Sequence, residues 1–250
     1  MNMTTREKIK DYYFKFKNIY IEKNYPEWFR FKNLHNQKFG EKGFNSNEHE
    51  LGHWAILQTE LPEIVKVVMV GKNNSWFVRG NMEKSLKVVK KLENGIPKED
   101  YLSSNGSNFS NRLNSQINKI GKINKSYEEA LTYYRVGINK MWLQTGADYP
   151  HKELKKEMNQ NEKLKNEWEE IEEKCHIWTE DIIRLIAPKL VILFGNDSDK
   201  KCAWNLFNKN LDGESFLIEH CPHPVGNKIG QFSKKIKHAM EIYERKNGKI

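Results

Sequence analysis

Short runs of apolar, often β-branched residues alternate along this chain with longer segments in which apolar residues recur every three or four positions. The short runs predict β-strands, and the longer periodic segments predict amphipathic helices. The predicted strands are 65–70, 136–143, 190–194 and 215–219. Because strands that alternate with helices form parallel sheets covered on both faces, we expect an α/β fold. It should be a three-layer α/β/α sandwich with a mostly parallel central sheet of about four strands.

The segments around these strands contain the predicted helices and loops. The predicted helices are 6–24, 47–61, 83–93, 126–134, 152–187, 199–207 and 231–245. Asn94-Gly95 is expected to end the third helix, Ser126 and Glu129 form a capping-box pattern at the start of the fourth, and polar residues 159–161 should interrupt the fifth. The segments 33–46 and 101–118, rich in Asn and other polar residues, predict loops.

The charge balance narrows the class of partner. Lys and Arg number 42 against 33 Asp and Glu, which gives a formal net charge of +9 and an isoelectric point near 9.2. A surplus of that size favours a polyanionic partner, because Lys and Arg bind phosphates and release counterions. DNA is therefore the expected partner. The other explanation is a composition biased towards Lys, Asn and Ile along the whole chain.

The number of cysteines and the hydropathy of the chain indicate its cellular compartment. Cys175, Cys202 and Cys221 are too few and too widely spaced for a disulfide framework. No apolar run approaches the length needed to cross a membrane. We expect a cytoplasmic monomer of one domain over 1–250, with residues 1–61 as a helical lead-in and 62–245 as the core. Inserts are expected near 95–125 and 150–175.

Three short segments have polar side chains at or just beyond the predicted strands. Gly71-Lys72-Asn73 follows the first strand, Asn139 lies in the second, and His223 lies in a proline-framed loop ahead of the last helix. Open α/β sheets build their sites outside the carboxyl ends of their strands. Two amides and an imidazole brought together there would bind the edges of a flat heterocycle, which points to chemistry on a nucleobase. Taken singly, each Asn also fits an ordinary turn at a strand end.

These segments resemble the motifs of the uracil-DNA glycosylase superfamily, in the family's order and each after a strand. That family has a strand ending in Gly-x-Asp/Asn-Pro, a central strand that delivers an Asn to the base, and a His-Pro-Ser loop ahead of its last helix. Here the three elements are 71–73, 138–139 and 223–226, and the resemblance extends over about residues 62–245. It implies a glycosylase-like domain that hydrolyses the N-glycosidic bond of uracil, or of a related deaminated base, flipped out of DNA.

The resemblance also implies roles for individual residues. The expected catalytic residues are Asn73, which would orient the attacking water, and His223, which would donate a hydrogen bond to the departing base. The expected substrate-binding residues are Gly71, Lys72, Ser75, Trp76, Phe77 and Asn139. The expected DNA-binding residues are Pro224, Val225, Gly226, Lys228, Lys234 and Lys235. No metal and no organic cofactor is implied.

The chain departs from the family's pattern within two of the three motifs. Asn74 stands where Pro is usual, and Ser75 stands where the uracil-exclusive branch has a bulky Tyr. Asn73, in place of Asp, is similar to the mismatch-specific and single-strand-selective branches. Val225 replaces the Ser that binds phosphate. These departures concern the choice of base and the strength of catalysis rather than the fold.

Two other functions fit parts of the sequence. His49-Glu50-Leu51-Gly52-His53 matches the signature H-E-x-x-H, and on a helix its two His would bind zinc while Glu50 activates water. This segment resembles the zincin peptidases, but only a helix and a loop precede it, and no third ligand follows at the usual spacing. The other alternative is a non-catalytic nucleic-acid-binding protein that keeps the glycosylase fold, as Asn74 and Val225 would allow.

Overall fold

The computed structural model describes residues 3–40, 55–73, 92–98, 108–143, 152–194, 215–222 and 230–250. Their helices are α1 (Thr5–Ile19), α2 (Pro26–Gly40), α3 (Asn108–Gly121), α4 (Lys125–Thr132), α5 (Lys152–Met158), α6 (Glu162–Ile186) and α7 (Gly230–Asn247). Their strands are β1 (Val67–Asn73), β2 (Leu92–Glu93), β3 (Ile96–Pro97), β4 (Arg135–Met141), β5 (Leu190–Phe194) and β6 (Leu217–Cys221). Among these helices, none combines the length and the apolar character needed to span a membrane.

The chain divides into two compact units. The first comprises Met1–Ile56, Asn73–Lys98 and Asn139–Trp178. The second comprises Leu57–Lys72, Glu99–Ile138 and Thr179–Ile250. The expectation of one domain over 1–250 stays a prediction.

Four parallel strands form the sheet, in the order β4-β1-β5-β6. β1 pairs with β5 from Val67 opposite Leu190, and β5 pairs with β6 as far as Phe194 opposite Cys221. Val, Ile and Leu predominate in β1 and β5, as expected of parallel strands with both faces buried. The predicted mostly parallel sheet of about four strands is confirmed.

The core of the second unit lies on one face of the sheet. Its members from the strands are Val67, Met69, Leu190, Ile192, Phe194 and Cys221. They pack with apolar residues of α3, α4 and α7, including Leu113, Ile117, Leu131, Ile236 and Met240. The alternate strand residues, which point to the other face, are fully buried as well: Val68, Val70, Val191 and Leu193. Both faces therefore exclude water, and the predicted α/β/α fold class is confirmed.

Aromatic side chains fill the first unit. Phe16 of α1 is buried, and its ring centroid lies 5.3 Å from that of Trp142. The helix predicted at 6–24 is confirmed as α1, although it ends at Ile19. The predicted interruption at 159–161 is also confirmed, since it separates α5 from α6. Asn161 caps α6, because its Oδ1 accepts a hydrogen bond from the Leu164 N–H (3.0 Å).

Helix α2 shows that the loop predicted at 33–46 is wrong as far as residue 40. Pro26 occupies its first position, where the missing N–H costs nothing. The Glu167 carboxylate of α6 accepts hydrogen bonds from the N–H groups of Glu27 (3.3 Å) and Trp28 (2.8 Å). The Trp28 ring also lies 5.2 Å from that of Trp168. Glu167 caps α2 and Trp168 packs against it, although both residues lie far along the chain. These contacts stabilise a helix that local propensity does not predict.

The helix predicted at 47–61 is wrong at 55–61, and residues 47–54 lie outside the described segments. Residues 55–61 are not helical, and Leu57 forms an antiparallel bridge with Ile138. The Gln58 N–H donates to the Gly137 carbonyl (2.7 Å), and the Gly137 N–H donates to Thr59 Oγ1 (3.1 Å). These bonds satisfy backbone groups at the edge of the sheet formed by β4, which are otherwise exposed to pairing with other chains.

Asn94 and Gly95 form a hairpin turn rather than a helix end, so this part of the prediction is wrong. β2 and β3 pair antiparallel across the turn, and both turn residues have a positive φ, 50° and 81°. A two-residue turn of that kind matches the twist of the flanking strands, and Asn-Gly is its favoured sequence. Residues 83–91, predicted to be helical, lie outside the described part of the chain, as does the helix predicted at 199–207.

Helix α3 shows that the loop predicted at 101–118 is wrong from residue 108 onward. Leu113, Ile117 and Ile120 recur at four- and three-residue steps and belong to the core of the second unit. The Asn residues on the exposed face lower helix propensity, but burial of the apolar face decides the outcome. The helix predicted to start at Ser126 is α4, and its N-cap is Asn124, whose Oδ1 accepts from the Ser126 N–H (3.0 Å).

Candidate active site

The strand order β4-β1-β5-β6 creates a topological switch point between β1 and β5. The chain leaves β1 for β4 on one side and leaves β5 for β6 on the other, so the two connections diverge. In open α/β sheets such a divergence leaves a crevice outside the carboxyl ends of the strands, and ligands bind there. Gly71-Lys72-Asn73 is the carboxyl end of β1. The first predicted motif therefore lies at the edge of the sheet where such a crevice is expected.

Asn139 lies on β4, the strand next to β1. Asn139 and its neighbour Lys140 are each only 1 % exposed. Successive residues of a strand point to opposite faces of the sheet, so the amide and the ammonium lie on different faces. Hydrogen bonds made by an amide in so dry a setting are stronger than in water. No sequence signal distinguishes Lys140 from the many other lysines, so the burial of this charge was not predicted.

The environment of His176 on α6 is set by burial and by Lys140. Burial, followed by the positive charge of Lys140, lowers the pKa of His176 from 6.5 to about 3. Its Nε2 lies 3.7 Å from the Glu172 carboxylate, too far for a hydrogen bond. His176 is therefore neutral at physiological pH. Burial also raises the pKa of the neighbouring Cys175 thiol to about 12, which keeps that thiol protonated and unreactive.

β6 ends at Cys221, two residues before His223. Lys235 of α7 donates to the His220 carbonyl (2.9 Å) and lies 3.8 Å from the Glu219 carboxylate. Lys235 thus joins α7 to the end of β6, whereas Lys234 is exposed. The remaining predicted site residues lie outside the described segments: Ser75, Trp76, Phe77, His223, Pro224, Val225, Gly226 and Lys228.

Three phenylalanines meet at the carboxyl end of β5. The ring of Phe194, the last residue of that strand, lies 5.6 Å from Phe109 of α3 and 5.9 Å from Phe232 of α7. These contacts fix the first turns of α3 and α7 beside the carboxyl end of β5. Phe109 was missed because its segment was predicted to be a loop. The steps from Phe109 to Leu113 and Ile117 are the signal that identifies it.

The zinc-protease signature at His49, Glu50 and His53 lies outside the described residues. The sequence predicts this signature on a helix that continues to residue 61, but residues 55–61 are not helical. Within the segments that the structure describes, no group of three His, Cys, Asp or Glu residues is arranged to hold a metal. Those segments therefore add no support for the zinc alternative.

No protein-family model and no curated protein matches this chain. The resemblance to the glycosylases therefore depends on the three motifs and on their order along the chain. Because one fold hosts many functions, the function has to be argued from the site.

Proposed function

We propose that this protein is a monofunctional DNA glycosylase that hydrolyses the N-glycosidic bond of uracil, or of a related deaminated base, flipped out of DNA. The observation that most supports the proposal is the strand order β4-β1-β5-β6. With that order Gly71-Lys72-Asn73 ends β1 beside the switch point, and Asn139 belongs to the adjacent strand. Amides on neighbouring strands suit the recognition of one planar base by hydrogen bonds to its edge.

The proposed reaction separates charge. As the bond between C1′ and the base nitrogen breaks, the sugar becomes electron-poor and the departing base becomes electron-rich. His223 donates a hydrogen bond to a carbonyl oxygen of the leaving base, which a neutral imidazole can do. Loss of one such donor from a dry site costs about 3 kcal/mol of barrier, or a factor of about 100 in rate. The step requires no metal and no organic cofactor.

The two asparagines have different roles in this proposal. Asn73 orients the attacking water through its side-chain oxygen. An amide, unlike a carboxylate, does not take up a proton, so as the water oxygen bonds to C1′ the proton that it loses passes through solvent to the departing base anion. Asn139 offers a donor and an acceptor that match the O4 and N3 edge of a uracil-like base. Trp76 or Phe77, which follow Asn73 in sequence, stacks on the face of the same base.

Base flipping requires the protein to hold the strand on both sides of the target. The net charge of +9 favours such contacts. Lys228 and the exposed Lys234 bind the phosphates, while Lys235 holds the end of β6, from which the loop departs, through the His220 carbonyl. We further propose that the protein acts as a monomer in the cytoplasm, where a reducing environment suits a chain with three cysteines.

The test is single-turnover excision from a duplex oligonucleotide with one uracil, followed as alkali-labile abasic sites with and without a chelator. We expect chelator-resistant excision. Asn73→Ala, Asn139→Ala and His223→Ala should each lower the rate by about 100-fold or more, with an unchanged circular-dichroism spectrum. Asn166→Ala, at an exposed position of α6, is the matched control and should excise at the wild-type rate.

The other outcomes would refute the mechanism or indicate a different function. Wild-type rates in all three variants would refute the mechanism. Salt-sensitive DNA binding without excision would indicate the non-catalytic binding protein. Stoichiometric zinc with chelator-sensitive peptide cleavage would indicate the zincin peptidase.

A further inference from the structure

The exposed face of α3 has a shallow polar groove. The groove has a volume of about 450 Å³ and is lined by Asn111, Asn114, Ser115, Asn118, Lys119 and Lys122. These residues recur at steps of three and four, so they share one side of the helix, away from the buried Leu113 and Ile117. Every lining side chain can donate a hydrogen bond, and none is apolar or acidic.

The groove lies in a stretch of sequence without carboxylates. From Tyr101 to Tyr127 the chain contains four cations but no Asp or Glu, although 33 of its 250 residues are acidic. Glu128, the next carboxylate, is paired with Lys125 at 2.5 Å. Among the described residues, no carboxylate pairs with Lys119 or Lys122. The groove therefore has two exposed lysines that form no ion pair within the described residues, and the nearby Glu128 carboxylate is paired with Lys125.

Helix α6 provides an internal comparison, because its lysines lie among glutamates. Lys165 lies 4.0 Å from Glu169, and Lys174 is paired with Glu170. Charges on that helix neutralise one another and indicate a solvated face. On α3 the other groups that line the groove with the lysines are amides and a hydroxyl instead. Lys, Asn and Ser side chains are among those that contact phosphate oxygens in protein–DNA complexes.

Helix α3 begins at the carboxyl edge of the sheet. Phe109 in its first turn contacts Phe194 at the end of β5, and β1 ends at the same edge because the strands are parallel. From Asn111 to Lys122 the groove extends for about 16 Å at 1.5 Å per residue. The groove is therefore long enough to contact more than one phosphate of a DNA strand.

We propose that the α3 groove binds the sugar-phosphate backbone of duplex DNA beside the flipped base. Lys119 and Lys122 pair with phosphates, and Ser115 and Asn118 donate hydrogen bonds to phosphate oxygens. The proposal rests on the proposed function, because its ligand is the DNA on which the glycosylase acts. It adds a contact surface to the loop and the closing helix predicted from sequence.

The test is the salt dependence of binding to a fluorescently labelled duplex oligonucleotide, measured by anisotropy. Each phosphate contact contributes about 0.9 to the slope of log K against log salt, so Lys119→Gln/Lys122→Gln should reduce the slope by about 2. Between about 50 and 200 mM salt, wild type should then lose about ten times more affinity than this variant. The matched control is Lys8→Gln/Lys17→Gln on α1, two exposed lysines whose loss changes the net charge equally. It should keep the wild-type slope.

A second variant tests the groove without removing a lysine. Asn118→Asp puts a carboxylate in the middle of the groove, at an exposed position where such a change costs less than about 0.5–1 kcal/mol of stability. It should weaken duplex binding by about tenfold through repulsion of the phosphates.

Excision measured in the same samples separates this inference from the proposed function. Binding that depends on α3 without excision upholds the α3 surface and refutes the glycosylase. Excision with equal salt slopes for the α3 and α1 variants upholds the glycosylase and refutes the α3 surface. The inference is also overturned if wild type does not bind duplex DNA, or if the α3 dependence is found with RNA and not with DNA.

Discussion

The imidazole of His176, of which only 16 % is exposed, makes the stability of the folded protein decrease as the pH falls. Its pKa is about 3 in the folded protein, because burial and the charge of Lys140 oppose protonation, against 6.5 in the unfolded chain. As the pH falls below about 6.5, the His176 imidazole becomes protonated in the unfolded chain but stays neutral in the folded protein. Stability is therefore complete above that pH and is lost progressively as the pH falls towards 3.

The size of the effect follows from the difference in pKa. At pH 5 the unfolded imidazole is almost fully protonated, and each pH unit below its pKa costs about 1.4 kcal/mol. Folding should therefore be about 2 kcal/mol less favourable at pH 5 than at pH 7 because of this one group. Glu27, whose hydrogen bond from Asn161 lowers its pKa below 4.5, loses its contribution only at lower pH. The carboxylates therefore contribute little between pH 7 and 5, and comparison with a variant lacking His176 separates this imidazole from the other seven histidines.

The assay is urea denaturation of wild type and of His176→Gln, which replaces the imidazole with a neutral side chain of similar size, at pH 7, 6 and 5. We expect the free energy of unfolding of wild type to fall by about 2 kcal/mol more than that of the variant over this interval. His238→Gln, at an exposed position of α7, is the control and should behave as wild type. Parallel curves for wild type and His176→Gln would refute the argument.

The remaining predictions concern contacts that hold α2 and α3 in place. Glu167→Ala removes the acceptor for the Glu27 and Trp28 N–H groups and should lower the free energy of unfolding by about 1 kcal/mol. The control Glu169→Ala, at an exposed position of α6, should change it by less than about 0.5 kcal/mol. Equal losses in the two variants would contradict the role of Glu167 as a cap. Leu113→Ala should cost about 3 kcal/mol in the same denaturation assay, since it opens a cavity in the core of the second unit. A loss below about 1 kcal/mol would show that α3 is not part of that core.

Elements with a strong local pattern could be predicted from the sequence. The strand at 190–194 is a compact β-branched and apolar run, and α6 has apolar residues such as Leu164, Trp168 and Ile171 at helical spacing. The break at 159–161 is equally local, because Asn161 caps the helix that follows it. In these segments the local secondary-structure propensity agrees with the structure that the fold requires, so the local sequence is enough to predict the element.

Elements whose stability comes from distant residues could not be predicted in this way. Helix α2 depends on Glu167 and Trp168, and α3 depends on burial of Leu113 against the sheet, although the Asn-rich sequence of α3 is typical of a loop. Residues 55–61 have enough apolar character for a helix, yet they bond to Gly137 at the edge of the sheet. In each case tertiary burial and hydrogen bonding outweigh a local propensity of a few tenths of a kcal/mol, by roughly 1 kcal/mol or more per contact.

For the candidate site, the sequence by itself determined which residues stand at or near the carboxyl ends of strands: Gly71, Asn73 and Asn139. Only the tertiary structure decided that β1 and β4 adjoin, that the switch point lies at the end of β1, and that Lys140 is buried. Spacing along the chain specifies where a strand ends but not which strand lies beside it. That order is set by which faces the connecting helices bury, and it is therefore a property of the whole packed core.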